Sequence, residues 1–271
     1  MSSPSVWSHR GNVDSDAYDG SGVSPFDDVR FEGRDLLRPR VENSLPAFEL
    51  VSALGIEGVE TDTWLTSDGE FVVVHDRATP AGPVDSVRRS EVPQLPSLGE
   101  VLAAARVGRV NVELKVAPGT SRDLARAVGS ELATVLTQFS DADTLVVSSF
   151  SMRATDGVLA KAPFLRVGHL CEKLPDDETL SRLARAGYWG VHPWVGSLDP
   201  GEVSRAHFHG LAVAAWTVND VEAAQRLALA GADVLITDRP VSIARGVQGP
   251  SVEYQSPKDT NLRKDVTDGT T

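Results

Sequence analysis

With a single cysteine, Cys171, the chain cannot form an internal disulfide, and nothing in it calls for an oxidising compartment. No apolar run approaches the length of a membrane span. The first residues, MSSPSVWSHRG, lack the basic start and apolar stretch of a signal peptide, so a cytoplasmic protein is expected. Positive charge is scarce as well: 26 Lys and Arg against 38 Asp and Glu leave a net charge of -12. That balance argues against a general nucleic-acid binder, which needs a basic face to neutralise phosphates. A local basic pocket for one small phosphorylated molecule stays compatible with it. Also missing is a glycine-rich phosphate loop after the first strand-like run, which weakens a doubly wound open sheet.

What the 271 residues do contain is alternation. Eight short runs rich in Val, Ile and Leu read as strands: SVWSH, GIEGVETD, RVNVELK, TLVVSSF, FLRVGHL, GVHPW, LAVAAWTV and ADVLIT. Between them lie segments of helical period, among them ENSLPAFELVSAL, SRDLARAVGSELATVLTQF, DDETLSRLARAG, DPGEVSRAHFHG and NDVEAAQRLALAG. Another, SLGEVLAAARV, opens with Ser97 three residues before Glu100, a capping-box spacing. Strands alternating with single helices predict an α/β fold with a parallel sheet, and eight such units fit a (β/α)8 TIM barrel. An Asp-Gly turn at Asp68-Gly69 adds a β-hairpin after the second strand, folding EFVVVHD back on it. One domain is expected over residues 1–248. A long polar segment, 12–40, follows its first strand, and 249–271 reads as a disordered tail.

In such a barrel the active site is built at the C-terminal ends of the strands. Polar groups gather there: His9 and Arg10 on the first, Glu60 and Asp62 on the second, Glu113 and Lys115 on the third. Glu60 and Asp62 are two apart on a strand and face the same way, with Glu113 beside them. Three converging carboxylates repel unless a cation lies between them. A hard divalent ion with oxygen ligands, Mg2+ or Ca2+, resolves this, and so does a structural network with Lys115, Arg10 and Arg109. His9 and His75 each end an apolar run beside a charged residue, in keeping with general acid–base work at neutral pH. His192 in GVHPW either contacts substrate or packs at its strand end.

The motifs HRG, ENSLPAFE, GVETDTWLTSDGEFVVVHD, PSLGEVL, VNVELK, VVSSF, AWTVN and ADVLITDRP occur in that order over residues 5–245. The set resembles the glycerophosphodiester phosphodiesterase family of barrel enzymes, which cleave a small-molecule phosphodiester with a divalent metal. The resemblance implies that His9 and His75 are the general acid–base pair and that Glu60, Asp62 and Glu113 hold the metal. It further implies that Arg10 and Lys115 hold the phosphate, that Glu42 lies near metal or substrate, and that Trp216 lines the substrate pocket. The family places its P-E-N motif a few residues after HRG, whereas here residues 12–40 intervene and Val41 replaces the proline. The segment after the HD motif, RATPAGPVDSVRRSEVPQL, is shorter than the family's usual insertion. Residues 12–40 are therefore expected to cap the active site and set alcohol specificity; an unchanged substrate profile after deletion would sink that idea. Alternatives to a glycerophosphodiesterase are a phospholipase D-like or lysophospholipase D-like activity on a larger diester, and a catalytically silent binding barrel.

Overall fold

The computed structural model describes residues 3–14, 41–139 and 141–248. Beyond Asp14, the expected loop over 12–40 lies outside the described residues, as does the expected tail over 249–271. Eight strands form the barrel: β1 (Ser5–His9), β2 (Gly58–Leu65), β6 (Arg109–Leu114), β7 (Leu145–Ser149), β8 (Arg166–Cys171), β9 (Gly190–Pro193), β10 (Ala212–Ala215) and β11 (Val234–Thr237). Each pairs in parallel with the next, and β11 returns to β1, closing the cylinder. The remaining strands are β3 (Phe71–Val73) and a small ribbon of β4 (Ala78–Thr79) and β5 (Gly82–Pro83). β3 runs antiparallel to β2, with Thr63 opposite Val73, as the Asp-Gly turn predicts.

The helices are α1 (Leu45–Ala53), α2 (Leu98–Ala104), α3 (Arg122–Leu136), α4 (Met152–Lys161), α5 (Asp177–Arg185), α6 (Pro200–Phe208), α7 (Val221–Ala230) and α8 (Pro240–Gln248). The capping box at the start of α2 forms as the spacing predicts: Ser97 Oγ accepts from the Glu100 amide at 3.2 Å and Glu100 Oε2 accepts from the Ser97 amide at 2.8 Å. Helices on the outside and side chains on the inside bury the strands on both faces, so β2 and β7 are buried along nearly their whole length.

Alternation divides each strand between two cores. Val59, Val112, Val147, Val167, Val191, Val213 and Leu235 belong to the large cluster between strands and helices. Trp7, Val146, Ala214, Val234 and Ile236 form a second cluster. The register, with Trp7 opposite both Gly58 and Ile236, puts that cluster on the same strand faces as Glu60 and Asp62. The interior is thus apolar low in the barrel and polar towards the C-terminal ends.

Candidate active site

β1 delivers His9 as its last residue, and the chain then leaves the barrel through two left-handed residues, Arg10 (φ 55°) and Gly11 (φ 78°). A Cβ at Gly11 would lie 2.9 Å from Ala47 Cβ, so α1 can dock there only against glycine. The Arg10 amide donates to Glu60 O at 3.0 Å, which pins this corner over β2. His9 Nδ1 is 2.7 Å from Asp238 Oδ1, and its Nε2 is 3.9 Å from Glu60 Oε2.

Glu60 and Asp62 share the inner face of β2, and Glu113 on β6 stands opposite Asp62 in register. One oxygen from each of the three acids lies within 4.8 Å of the other two. Lys115 Nζ pairs with Glu113 Oε1 at 2.6 Å and Asp62 Oδ1 at 2.9 Å. Arg10 Nε is 3.1 Å from Asp62 Oδ2, and its Nη1 is 3.1 Å from Glu42 Oε1. Two of the three cations expected to join the acids therefore do so. Arg109 begins β6, at the opposite end of the strand from Glu113, and donates to Gly108 O.

The charges do not balance inside the cluster. Burial pushes the Asp62 carboxyl up, but Lys115 and Arg10 reverse this and hold it below the usual range. Burial dominates at Glu60, where Asp62 and Glu113 add repulsion and hold the carboxyl well above its ordinary value. Glu113 is pushed up to about 7, mainly by burial, with Lys115 pulling it back and Asp62 pushing it on. Lys115 loses some basicity to burial and regains more from Glu113 and Asp62, ending above its usual value. Among the described residues Glu60 Oε1 is buried with no hydrogen-bond partner. Three oxygen donors, one of them orphaned, and two carboxyls that resist ionisation fit a hard divalent cation.

His75 comes up from the hairpin to the same end of the barrel. Its carbonyl accepts from Trp64 Nε1 at 3.2 Å, and the preceding Val74 amide donates to Asp62 O at 3.2 Å. Its ring is 38% exposed and pairs through Nδ1 with its neighbour Asp76 at 2.8 Å. Among the described residues it makes no hydrogen bond or ion pair with the three acids. The hairpin thus sets His75 on the rim of the site, where His9 is built into its wall.

On the far side of the mouth Phe150 follows β7 and Trp216 follows β10; their rings meet edge to face at 5.7 Å, beyond the ends of β8 and β9. Phe150 is 49% exposed, and Trp194, after β9, is 46% exposed. The mouth is therefore charged over β1, β2 and β6 and aromatic over β7, β9 and β10. His192, read from the sequence as either a substrate contact or a packed strand-end residue, lies on β9. It is fully buried, and its ring stacks over Gly168, where any Cβ would overlap it. Burial pushes its pKa down to about 3, so it is a neutral ring sealed inside the barrel.

A sequence model of the glycerophosphoryl diester phosphodiesterase family matches residues 9–242. The chain belongs to the glycerophosphoryl diester phosphodiesterase family. A glycerophosphodiester phosphodiesterase of Caldanaerobacter subterraneus subsp. tengcongensis is 27% identical over 230 residues, covering 74% of this chain and 90% of that protein. Solved structures share the barrel. A glycerophosphodiester phosphodiesterase of Parabacteroides distasonis superposes with a TM-score of 0.73 at 20% identity, covering 91% of this chain and 98% of that one. A phosphodiesterase of Oleispira antarctica, solved with the product sn-glycerol-3-phosphate, gives 0.70 at 24% identity, covering 91% and 98%. The family and the barrel expected from the motifs are the ones found.

Within this family member, four residues at the site received no role from the motifs, although Asn43, Asn219 and Asp238 lie inside ENSLPAFE, AWTVN and ADVLITDRP. Asn43 donates to Asp62 Oδ2 at 2.8 Å and accepts from Thr61 Oγ1 at 2.9 Å. Its position beside Glu42 in ENS was a usable signal. Asp238, Asn12 and Asn219 surround the outer face of His9: Asn12 Nδ2 donates to Asp238 Oδ1 at 2.9 Å and Asn219 Nδ2 to Oδ2 at 2.7 Å. Only closure of β11 against β1 brings them together.

Proposed function

We propose that this family member hydrolyses a glycerophosphodiester to a phosphomonoester of the sn-glycerol 3-phosphate type and a free alcohol. The observation that carries the reading is the convergence of the Glu60, Asp62 and Glu113 oxygens within 4.8 Å, with His9 Nε2 3.9 Å from Glu60. In this reading Glu60, Asp62 and Glu113 hold a divalent cation, Mg2+ or Ca2+. Such an ion, when bound, supplies neutralisation of the phosphate oxygens and activation of the attacking hydroxyl. Lys115 has three N–H donors, of which two face Glu113 and Asp62, so one is free for a phosphate oxygen. Arg10 offers its remaining guanidinium N–H groups, and Glu42 holds that fork in place.

His9 and His75 are the acid–base pair. One takes the proton of a substrate hydroxyl as its oxygen bonds phosphorus. The other protonates the alcohol oxygen as the old P–O bond breaks. Water then opens the resulting cyclic phosphate with the two roles exchanged, so one water is consumed overall. Each proton transfer contributes roughly 10²–10⁴ in rate. Trp216, edge-on to Phe150, forms the wall against which the alcohol group rests. The sn-glycerol-3-phosphate bound in the Oleispira antarctica relative supports the product assignment. The exposed Phe150 and Trp194 rings favour a second reading, a lysophospholipase D-like action on a diester with a larger apolar substituent.

A cytoplasmic enzyme working as a single domain is part of this reading; no helix among the described residues is long and apolar enough to cross a membrane. The test is hydrolysis of bis(p-nitrophenyl) phosphate and glycerophosphocholine, with and without EDTA, beside His9→Ala. Cleavage that EDTA and the substitution each abolish supports the proposal. Cleavage that survives either would overturn it.

A further inference from the structure

His9 and His75 differ in what holds them. His75 leans on Asp76, its own neighbour, which is 80% exposed and free to swing away. His9 leans on Asp238, 229 residues away on the loop after β11. That carboxylate is itself fixed: Oδ1 accepts from His9 Nδ1 at 2.7 Å and Asn12 Nδ2 at 2.9 Å, and Oδ2 accepts from Asn219 Nδ2 at 2.7 Å. Asn219 is oriented in turn, because its Oδ1 accepts from the Asp238 amide at 2.9 Å and from Thr237 Oγ1 at 3.0 Å. Burial pushes the Asp238 carboxyl up, but the bonds from His9, Asn219 and Asn12 outweigh it and hold the group below the usual carboxylate range. Held below that range it is ionised near neutral pH, and an anionic carboxylate only accepts. A nitrogen hydrogen-bonded to it must carry a proton.

We propose that Asp238, braced by Asn12 and Asn219, is the positioning residue of His9, holding its Nδ1 protonated and its Nε2 free and aimed at the acid cluster. The inference rests on His9 acting in proton transfer, as proposed above. Nε2 is then the atom that exchanges a proton with substrate, since it is the nitrogen on the Glu60 side, 3.9 Å away. A ring held by one bond to a rigid acceptor keeps its tautomer and its plane through the whole cycle. The strands do not need this bond for adhesion: β1 and β11 already pair in parallel from Ser5 opposite Val234 to Ser8 opposite Thr237.

The tautomer can be read without turnover. Nitrogen-15 NMR of the histidine-labelled full chain is expected to show His9, assigned by its loss in His9→Gln, as the Nδ1–H form. In Asp238→Asn that preference is lost, and kcat for glycerophosphocholine falls about 10²-fold with KM little changed. Asp238→Glu, which keeps the anion, recovers part of the loss. If Asp238→Asn does not fold, Asn219→Ala serves in its place, with a smaller fall in kcat and a mixed tautomer signal. An Nε2–H form in the wild type overturns the proposal, as does a fall in kcat with the tautomer unchanged. If the wild type cleaves no diester, the proposed function fails on its own, while the spectrum still decides how His9 is held.

Discussion

Replacing Glu113 by Gln is expected to stabilise the metal-free fold near pH 8 while ending catalysis. The carboxyl is buried, and burial with repulsion from Asp62 outweighs the pull of Lys115. At roughly 1.4 kcal/mol per pH unit, the rise from 4.5 to about 7 corresponds to about 3 kcal/mol. The sign follows from which form the fold prefers. A carboxyl raised in the folded state favours folding while it stays protonated. That contribution is complete below its unfolded value of 4.5 and is lost as pH climbs through about 7. Above that the fold carries an extra buried anion next to Asp62, which Lys115 and Arg10 keep ionised. Gln keeps the shape and never ionises. Urea unfolding in EDTA, at about pH 5 and about pH 8, should show wild type losing stability across the interval and Glu113→Gln losing less. The variant should exceed wild type near pH 8 by up to about 3 kcal/mol. Excess Mg2+ or Ca2+ should reverse the order, because binding to the native state stabilises it and only the wild type has all three acids. An EDTA-treated variant less stable than wild type near pH 8 would refute the charge-crowding argument.

Two further outcomes follow from the barrel interior and the mouth. Gly168→Ala should destabilise the chain by about 1–3 kcal/mol in denaturant unfolding, since the methyl overlaps the sealed His192 ring and the interior cannot give way freely. Phe150→Ala should cut kcat/KM about tenfold for a diester with a long apolar substituent and leave glycerophosphoethanolamine nearly unchanged, because only the former buries the ring; an equal loss on both would remove Phe150 from substrate selection.

The barrel was legible because its strands are short runs rich in Val, Ile and Leu while the helices between them repeat at another period. α4 was harder to see: MRATDGVLAK carries Thr155 and Gly157, both poor in helices, and Gly157 lies where α4 presses on the Arg126 backbone of α3. α8 hides behind the proline that opens it. In the site, Glu60 and Asp62 could be paired from spacing alone, since alternate strand residues share a face. The same rule gives His192 its inward direction but says nothing of how deeply it is buried. Asp238 and Asn219 carry no local pattern that points to His9. Their meeting depends on which strands become neighbours, a property of the closed ring.

The closed ring also sets when the parts of the site come into being. Glu60, Asp62, Glu113 and Lys115 lie on β2 and β6 and just after it, adjacent in both chain and sheet. A nascent chain that has emerged through Lys115 already carries every acid and the lysine that pairs with them. His9 is made still earlier, yet its hydrogen-bond partner is Asp238, on the loop after the last barrel strand. All three acids and the lysine are thus present once three of the eight barrel strands exist, whereas the His9 pairing cannot exist until the final strand docks. A chain truncated before β11 would keep the acids and leave His9 without Asp238.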